Sequence, residues 1–418
     1  MTNNGPTTEK ERFAILDILR GMALLGIALA NFPEFGLWTF LSAQEQTAMP
    51  TGDIDRVVRF LEYVFVEGKF YSIFSLLFGV GFSLFLFRHS TLRFLRRMLI
   101  LALIGFVHLL FIWNGDILLL YAVGGMLLTL FIKMKDKVLL CVAVLLMILP
   151  IFLNMITQFC GIDFAKPFYD AWWAEASAQG INEDNFASWL RDAQTYPEMY
   201  SFLRQGAIER MWELVSGHRL PKVLGLFILG FLIGKHRLYA RLDTLPLKRL
   251  LLWASVIALP TSLVYAWSAT HDQPWGLVIH SLFYTVSIVA LTFAYICGIC
   301  FLYQKSQKAG GNRALMLLAA PGRLALTNYI GHSLIGIILF YGVGFALGTS
   351  FGFIYIELTA FAVFILQILL SHLWLSRFLF GPLEWIWRML TYGKYFPITR
   401  KTPPPPNTHH LSPNTHQA

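Results

Sequence analysis

Long apolar runs recur along almost the whole chain, and they constrain its fold more than any other feature. A run of about 18 or more apolar residues is long enough, as a helix, to cross a hydrocarbon core about 30 Å thick. Roughly ten stretches qualify: 13–32, 60–87, 95–113, 115–133, 137–157, 220–235, 248–268, 276–303, 323–346 and 353–373. A lipid core offers the backbone no water, so each run must satisfy its own amides and carbonyls as a helix. The expected fold class is all-α: a polytopic transmembrane helix bundle of about ten spans. Only 14% of the 418 residues are charged, against about 25% in an ordinary soluble domain.

The charges sort by loop. Arg88, Arg93, Arg96 and Arg97 follow the second run; Lys133, Lys135 and Lys137 follow the fourth. Lys235, Arg237, Arg241, Lys248 and Arg249 follow the sixth, Lys305, Lys308 and Arg313 the eighth, and Arg377, Arg388, Lys394, Arg400 and Lys401 the tenth. Loops after odd-numbered runs are acidic or uncharged. Basic loops stay in the cytoplasm, so both termini are expected there. The net charge of +9 is thus a topology signal and no nucleic-acid footprint; the partner it implies is the lipid bilayer.

This gives a layout of a cytoplasmic N-terminus (1–12), an N-terminal five-span bundle (13–157), an extracytoplasmic insert (158–219), a C-terminal membrane domain (220–395) and a disordered, Pro-rich cytoplasmic tail (396–418). The insert, with "DAWWAEASAQG" and "NFASWLRDAQTYPEMYSFLRQ", reads as two or three short amphipathic helices at the interface or capping a cavity. Lys10, Arg12 and Ala28-Leu29-Ala30 resemble a cleavable signal peptide. Asp17 and Arg20 interrupt its apolar stretch, and the topology closes with the first run retained. Cys297 and Cys300 form a CxxC inside an apolar run with no second pair, which reads as buried helix residues and no metal site.

Polar residues inside the runs are the candidate site. Asp17 and Arg20 share a helix face at i, i+3, either as an interfacial pair with Arg20 reaching to water or as part of a functional cavity. Arg93 and Arg96 stand at RxxR spacing with Arg97 beside them. They suit phosphate binding or simple anchoring. His108 suits a general base or a bundle hydrogen bond. Asp116, in the Asn114-Gly115-Asp116 turn, would orient His108, bind an acceptor, or only close the turn. Lys69 enters the second run, where Gly79 and Gly81 permit close helix packing. Arg323, Asn328 and His332 carry polar atoms into the ninth run, behind Pro321 and Gly322, which look like a helix start.

The stretches "LDILRGMALLGIALANF", "RRMLILALIGFVHLLFIWNGDILLLYAVGG", "GRLALTNYIGHSLIGIILFYGVG" and "FLFGPLEWIWRMLTYG" resemble the YeiB-like family of bacterial membrane proteins with a DUF418 domain. The resemblance covers nearly the whole chain. More distantly it is similar to acyltransferase-3 proteins and to the heparan-glucosaminide N-acetyltransferase type. Those move an acyl group from cytoplasmic acyl-CoA to an acceptor across the membrane. They share an Asp-x-x-Arg-Gly-like start, here Asp17 to Gly21, and an RxxR, here Arg93 and Arg96. The acyltransferase-3 pattern has a His where this chain has Asn31, whose amide does not titrate near neutral pH.

The resemblance therefore implies a bacterial inner-membrane O- or N-acyltransferase. Acyl-CoA would be its co-substrate, with no permanently bound cofactor and no metal, and a carbohydrate or other envelope component its acceptor. Arg93, Arg96 and Arg97 would take the CoA phosphates, and Asp17 and Arg20 would line the transfer path. The resemblance supplies no base where Asn31 stands; His108, with Asp116 nearby, is our own candidate from the residues, and Asn31, Lys69 or Asn328 would steady the oxyanion. A transporter or flippase would use the same intramembrane ions as a substrate path. A third reading is a non-catalytic membrane partner or sensor.

Overall fold

The computed structural model describes residues 13–311 and 313–400. Expectations for the N-terminus (1–12) and for the tail from Lys401 onward lie outside the described residues. Residues 396–400 pair back on the end of the last long helix, through Leu379 N–H to Ile398 O at 2.8 Å and Arg400 N–H to Arg377 O at 3.0 Å. This is the only extended pairing among the described residues; every other regular element is helical.

Helix α1 (Ala14–Phe35) is followed by the short α2 (Ala43–Ala48), then by α3 (Gly52–Phe65) and α4 (Lys69–Leu86). α3 and α4 together form one 35-residue span from Gly52 to Leu86. Gly68, at φ +81°, makes the turn between them. Next come α5 (Thr91–Phe111), α6 (Leu118–Leu128) and α7 (Asp136–Cys160). The insert holds α8 (Lys166–Ala178), α9 (Phe186–Asp192) and α10 (Tyr196–Ser216). The rest is α11 (Arg219–Lys235), α12 (Leu247–Thr270), α13 (Gly276–Lys308), α14 (Arg313–Leu317), α15 (Ala319–Arg323), α16 (Ala325–Phe340), α17 (Phe353–Arg377) and α18 (Pro382–Tyr392).

Among the described residues seven helices are long and apolar enough to cross a membrane, or up to nine if each of two bent pairs counts as one span. α10 turns into α11 by 64°, and the stretch Arg313–Arg323 turns into α16 by 81°. The expected sixth run is thus the second limb of a bent pair. The expected fourth run, 115–133, forms only the short helix Leu118–Phe131; at 1.5 Å per residue its 14 residues reach only about 21 Å. Pro321 and Gly322 are not the start of the ninth helix but lie inside α15, and α16 begins at Ala325. There the Glu384 carboxylate of α18 accepts from Leu326 N–H (2.7 Å) and Thr327 N–H (3.0 Å), meeting amides that a helix start leaves unpaired.

Burial separates inner from outer helices. α1 and the Gly52–Leu86 span are 61% buried over their apolar windows, whereas α7 and α12 are 22% buried and turn most of their surface outward. The inner helices cross at glycines. A Cβ on Gly79 of α4 would lie 2.1 Å from Phe227 O of α11, and one on Gly230 2.0 Å from Leu76 O. A Cβ on Gly21 of α1 would lie 1.9 Å from Leu318 O, and one on Gly322 of α15 1.9 Å from Asp17 O. Both crossings join residues from before the insert to residues after it, so the packing runs across the expected N-terminal and C-terminal division. Gly81 meets no such backbone: the nearest atom to its would-be Cβ is an Arg20 nitrogen at 4.0 Å.

The insert folds onto the far ends of these helices. Trp172 stacks on Trp212 and meets Phe186 edge-on, and Phe186 packs at a tilt against Phe202. Leu190 and Phe202 share a core with Phe32, Phe35, Trp113, Phe340 and Tyr341. Arg191 donates to Thr349 Oγ1 at 2.8 Å.

Candidate functional site

Two cavities enter the bundle from opposite ends of α1. The larger, about 670 Å³, opens among the basic loops and follows α1 from Phe13 to Ile27. The smaller, about 230 Å³, lies under the insert and follows α1 from Gly26 to Glu34. Ile27, Ile117 and Tyr329 line both, so these three side chains are the partition between them.

The basic cavity is lined by six arginines (Arg20, Arg88, Arg97, Arg237, Arg323 and Arg388) against two carboxylates, Asp17 and Glu384. Such a surplus of positive charge in a cleft with apolar walls concentrates anions. Arg20 Nη1 and Asp17 Oδ1 are 2.7 Å apart, as their i, i+3 spacing dictates. Arg97 stacks on Trp387 at 3.7 Å and Arg388 on Phe380 at 4.1 Å. Stacking by aromatic faces fixes a guanidinium plane and leaves its edge to receive an anion. The Trp387 indole N–H donates to Arg97 O at 2.9 Å, tying α18 to α5. Deeper in, Leu24, Phe78, Met98 and Leu101 make the wall apolar. The cavity thus suits a ligand with an anionic head and an apolar extension.

The arginine cluster divides differently from its RxxR spacing. Arg97 lines the cavity, Arg96 is exposed, and Arg93 contacts His89 Nδ1 at 3.0 Å. His89 lines the mouth, and its Nε2 lies 2.9 Å from the Tyr392 hydroxyl. Burial, followed by the charges of Arg93, Arg88 and Arg97, holds the His89 imidazole below its ordinary range.

The smaller chamber holds Asn31, Glu34, Arg59, Glu62, Glu67, Arg210 and Arg219. Arg59 lies over Trp38 at 4.8 Å, Arg219 over Tyr71 at 5.3 Å, and Glu67 accepts from the Tyr265 hydroxyl at 3.0 Å. Arg210 pairs with Glu213 at 2.6 Å and donates to Asp116 O at 3.0 Å.

At the partition, the Tyr329 hydroxyl accepts from Ile117 N–H (3.2 Å) and donates to Gly115 O (3.3 Å). The His108 ring packs 5.4 Å from the Tyr329 ring. His108 Nδ1 lies 2.9 Å from Asp116 Oδ2, and Nε2 2.9 Å from Ser333 Oγ. Asp116 Oδ1 also accepts from Leu119 N–H at 2.8 Å and so caps α6. Ser333, His108 and Asp116 follow the order of a nucleophile–base–acid relay. All three are buried, however, and none lines either cavity. The relay braces α5, the 114–117 turn and α16 directly behind the partition.

The remaining residues divide. Asn31 lines the chamber and Arg323 the basic cavity. Lys69 lines neither: its Nζ donates to Tyr63 O at 2.5 Å and sits over the Tyr265 ring at 4.9 Å. Asn328 donates to Ser371 Oγ at 3.0 Å within the α16–α17 contact. His332 is buried 6.2 Å from the Phe32 ring. Ser333, Tyr329 and the chamber's charged side chains were missed in the sequence. Ser333 gave no signal, being one small residue in an apolar helix 225 positions from His108. Arg59, Glu62 and Tyr63 did give one, at i, i+3 and i+4. Among the described residues no group of three His, Cys, Asp or Glu side chains stands ready to hold a metal.

Comparison with known proteins gives the family. The family described as "Protein of unknown function (DUF418)" matches residues 234–394. Over its whole length the chain resembles three bacterial proteins. "Uncharacterized protein YxaH" of Bacillus subtilis is 30% identical, covering 96% of this chain and all of the relative. "Uncharacterized 39.9 kDa protein in amylase 3'region" of Bacillus acidopullulyticus is 31% identical over 95% of this chain and 98% of the relative. "Uncharacterized protein YeiB" of Escherichia coli is 28% identical over 94% and 99%. No solved structure matches. An all-helical bundle with seven to nine potential spans, matched end to end by these relatives, belongs to the YeiB-like DUF418 family of membrane proteins.

Proposed function

We propose that this protein is a bacterial inner-membrane acyltransferase that carries an acyl group from cytoplasmic acyl-CoA to an acceptor on the other side. The observation that carries the reading is the pair of cavities meeting at Ile27, Ile117 and Tyr329. With the basic loops in the cytoplasm, Arg20, Arg97, Arg323 and Arg388 receive the donor's phosphates. Its acyl thioester then extends along the apolar wall and passes between Ile27, Ile117 and Tyr329, which part to admit its carbonyl to the chamber. The volume of this cavity is in the range of pockets that enclose extended small molecules, and the chamber falls below that range, as a small acceptor requires.

In the transfer, the acceptor's nitrogen or oxygen attacks the thioester carbonyl. The new C–N or C–O bond forms, the C–S bond breaks, and the acceptor's proton passes by way of a base to the departing CoA thiolate. Glu34, one turn beyond Asn31 and lining the same chamber, is the carboxylate we assign as base. Asn31 offers an amide N–H to the developing oxyanion. His108, Asp116 and Ser333 position Tyr329 and the 114–117 turn.

Calorimetry of the purified protein with acetyl-CoA, longer acyl-CoAs and CoA tests this. Saturable binding that Arg97→Ala weakens by about tenfold, the worth of one charge-assisted hydrogen bond, is the expected result. Folded protein that binds none of them ends the acyl-transfer reading. A transporter or flippase for a small polar or amphipathic substrate is then favoured, because a thin barrier between two opposed cavities is also the geometry of alternating access.

A further inference from the structure

The smaller chamber contains three guanidiniums and three carboxylates that do not pair with one another. Arg59, Arg210 and Arg219 face a space shared with Glu34, Glu62 and Glu67. Among the described residues, the only ion pair any of the six makes is Arg210 with Glu213, which lies outside the chamber lining. Opposite charges that line one small chamber, in a bundle that reads as membrane-embedded, attract strongly unless something holds them apart. The scaffold holds three of them. Arg219 is stationed over the Tyr71 ring, Arg59 between the Trp38 ring and the Tyr63 hydroxyl, and Glu67 on the Tyr265 hydroxyl.

With Arg210 answered by Glu213, the unpaired charges are Arg59 and Arg219 against Glu34, Glu62 and Glu67, and a ligand that bears both signs can meet each set. We infer that this chamber binds a small zwitterion, with its ammonium toward Glu34 and Glu62 and its acid group toward Arg219 and Arg59. An anion alone would leave the three carboxylates uncompensated, and a cation alone would leave the guanidiniums so. A neutral sugar would meet hydrogen-bonding groups but answer neither set of charges. The volume of about 230 Å³ is worth roughly eight waters, enough for an amino acid and too little for a nucleotide. The inference is independent of acyl transfer: a zwitterion is equally an amine acceptor and a transported solute.

The test uses the full-length protein in detergent without any acyl-CoA. Calorimetry is run with L-alanine and β-alanine as zwitterions, ethylamine as cation, acetate as anion and glucose as neutral probe. Expected is saturable binding of at least one zwitterion, about tenfold or more tighter than the other three probes, since each charge-assisted contact is worth about that much. Arg219→Gln and Glu34→Gln each lower that affinity by a similar factor, whereas Arg56→Gln, exposed on α3 and outside both cavities, leaves it unchanged. The inference is overturned if glucose binds as well as either zwitterion, or if neither zwitterion binds the folded wild-type protein. It is equally overturned if Arg56→Gln abolishes binding while Arg219→Gln does not. The wild-type ranking of probes decides the matter even if a chamber variant fails to fold. Loss of acyl-CoA binding alone leaves this inference standing.

Discussion

His89 shows how a single side chain can report on the basic cavity. It bridges Arg93 and Tyr392 at 3.0 Å and 2.9 Å, and burial together with three arginines disfavours its charged form. A depressed histidine stabilises the fold fully above its unfolded value near 6.5 and loses that contribution as pH falls through the folded value. Thermal unfolding between pH 7 and 5 is therefore expected to show a downward slope that His89→Gln makes shallower. An unchanged slope in the variant would remove His89 from this role. A bound phosphate reverses the preference, so acyl-CoA affinity rises over the same interval in wild type more than in the variant. Asp17 and Arg20 were legible in the sequence because local helix geometry alone puts i and i+3 side by side. The His108–Ser333 contact was not, because no local rule joins positions 225 apart.

At the scale of elements, the inner helices are positioned by close backbone approach. Gly322→Ala puts a methyl 1.9 Å from Asp17 O, and Gly79→Ala puts one 2.1 Å from Phe227 O. Neither neighbour is a flexible side-chain end, so each variant must spread a helix pair. We expect each to cost about 1–3 kcal/mol, the usual penalty of overpacking, seen as a lower midpoint of thermal unfolding or loss of folded protein on size exclusion. Gly81→Ala, with nothing nearer than 4.0 Å, is expected to stay within about 0.5 kcal/mol of wild type. Equal effects at Gly81 and Gly322 would show that the crossing is not the constraint. Gly79 and Gly81 looked alike in the sequence, since two residues on a helix differ by about 200° of rotation. Only the neighbours reveal which one meets backbone. Apolar length identified the spans, but the bends at Gly217–His218 and at Arg323–Leu324 depend on what packs at each corner. At the second, the Glu384 side chain of α18 receives the freed amides.

For the whole molecule, the partition makes a prediction about access. With Cys141 and Cys160 replaced by Ser, Asn31→Cys is expected to react with a membrane-impermeant thiol reagent only from the insert side. Gly81→Cys is expected to react only from the side of the basic loops. Adding Tyr329→Ala removes the ring between the cavities and makes each position reactive from both sides. Reaction of Asn31→Cys from both sides with Tyr329 intact would show that no barrier stands there. The same labelling checks the proposed cytoplasmic placement of the basic loops. The sequence by itself determined that this chain is an all-helical bundle rich in potential membrane spans, because the need to satisfy backbone hydrogen bonds in lipid turns long apolar runs into helices whatever their neighbours. It also supplied the chemistry available: arginines at one end, a few buried ions, a histidine and an asparagine. Tertiary structure alone decided which of these share a space. It put Arg97 in the cavity and Arg96 outside it, enclosed His108 behind Tyr329, and gathered Glu34, Arg59, Arg210 and Arg219 from four helices around one chamber. Side chains from distant segments meet according to how the helices cross, and each crossing is fixed by packing summed over both partners.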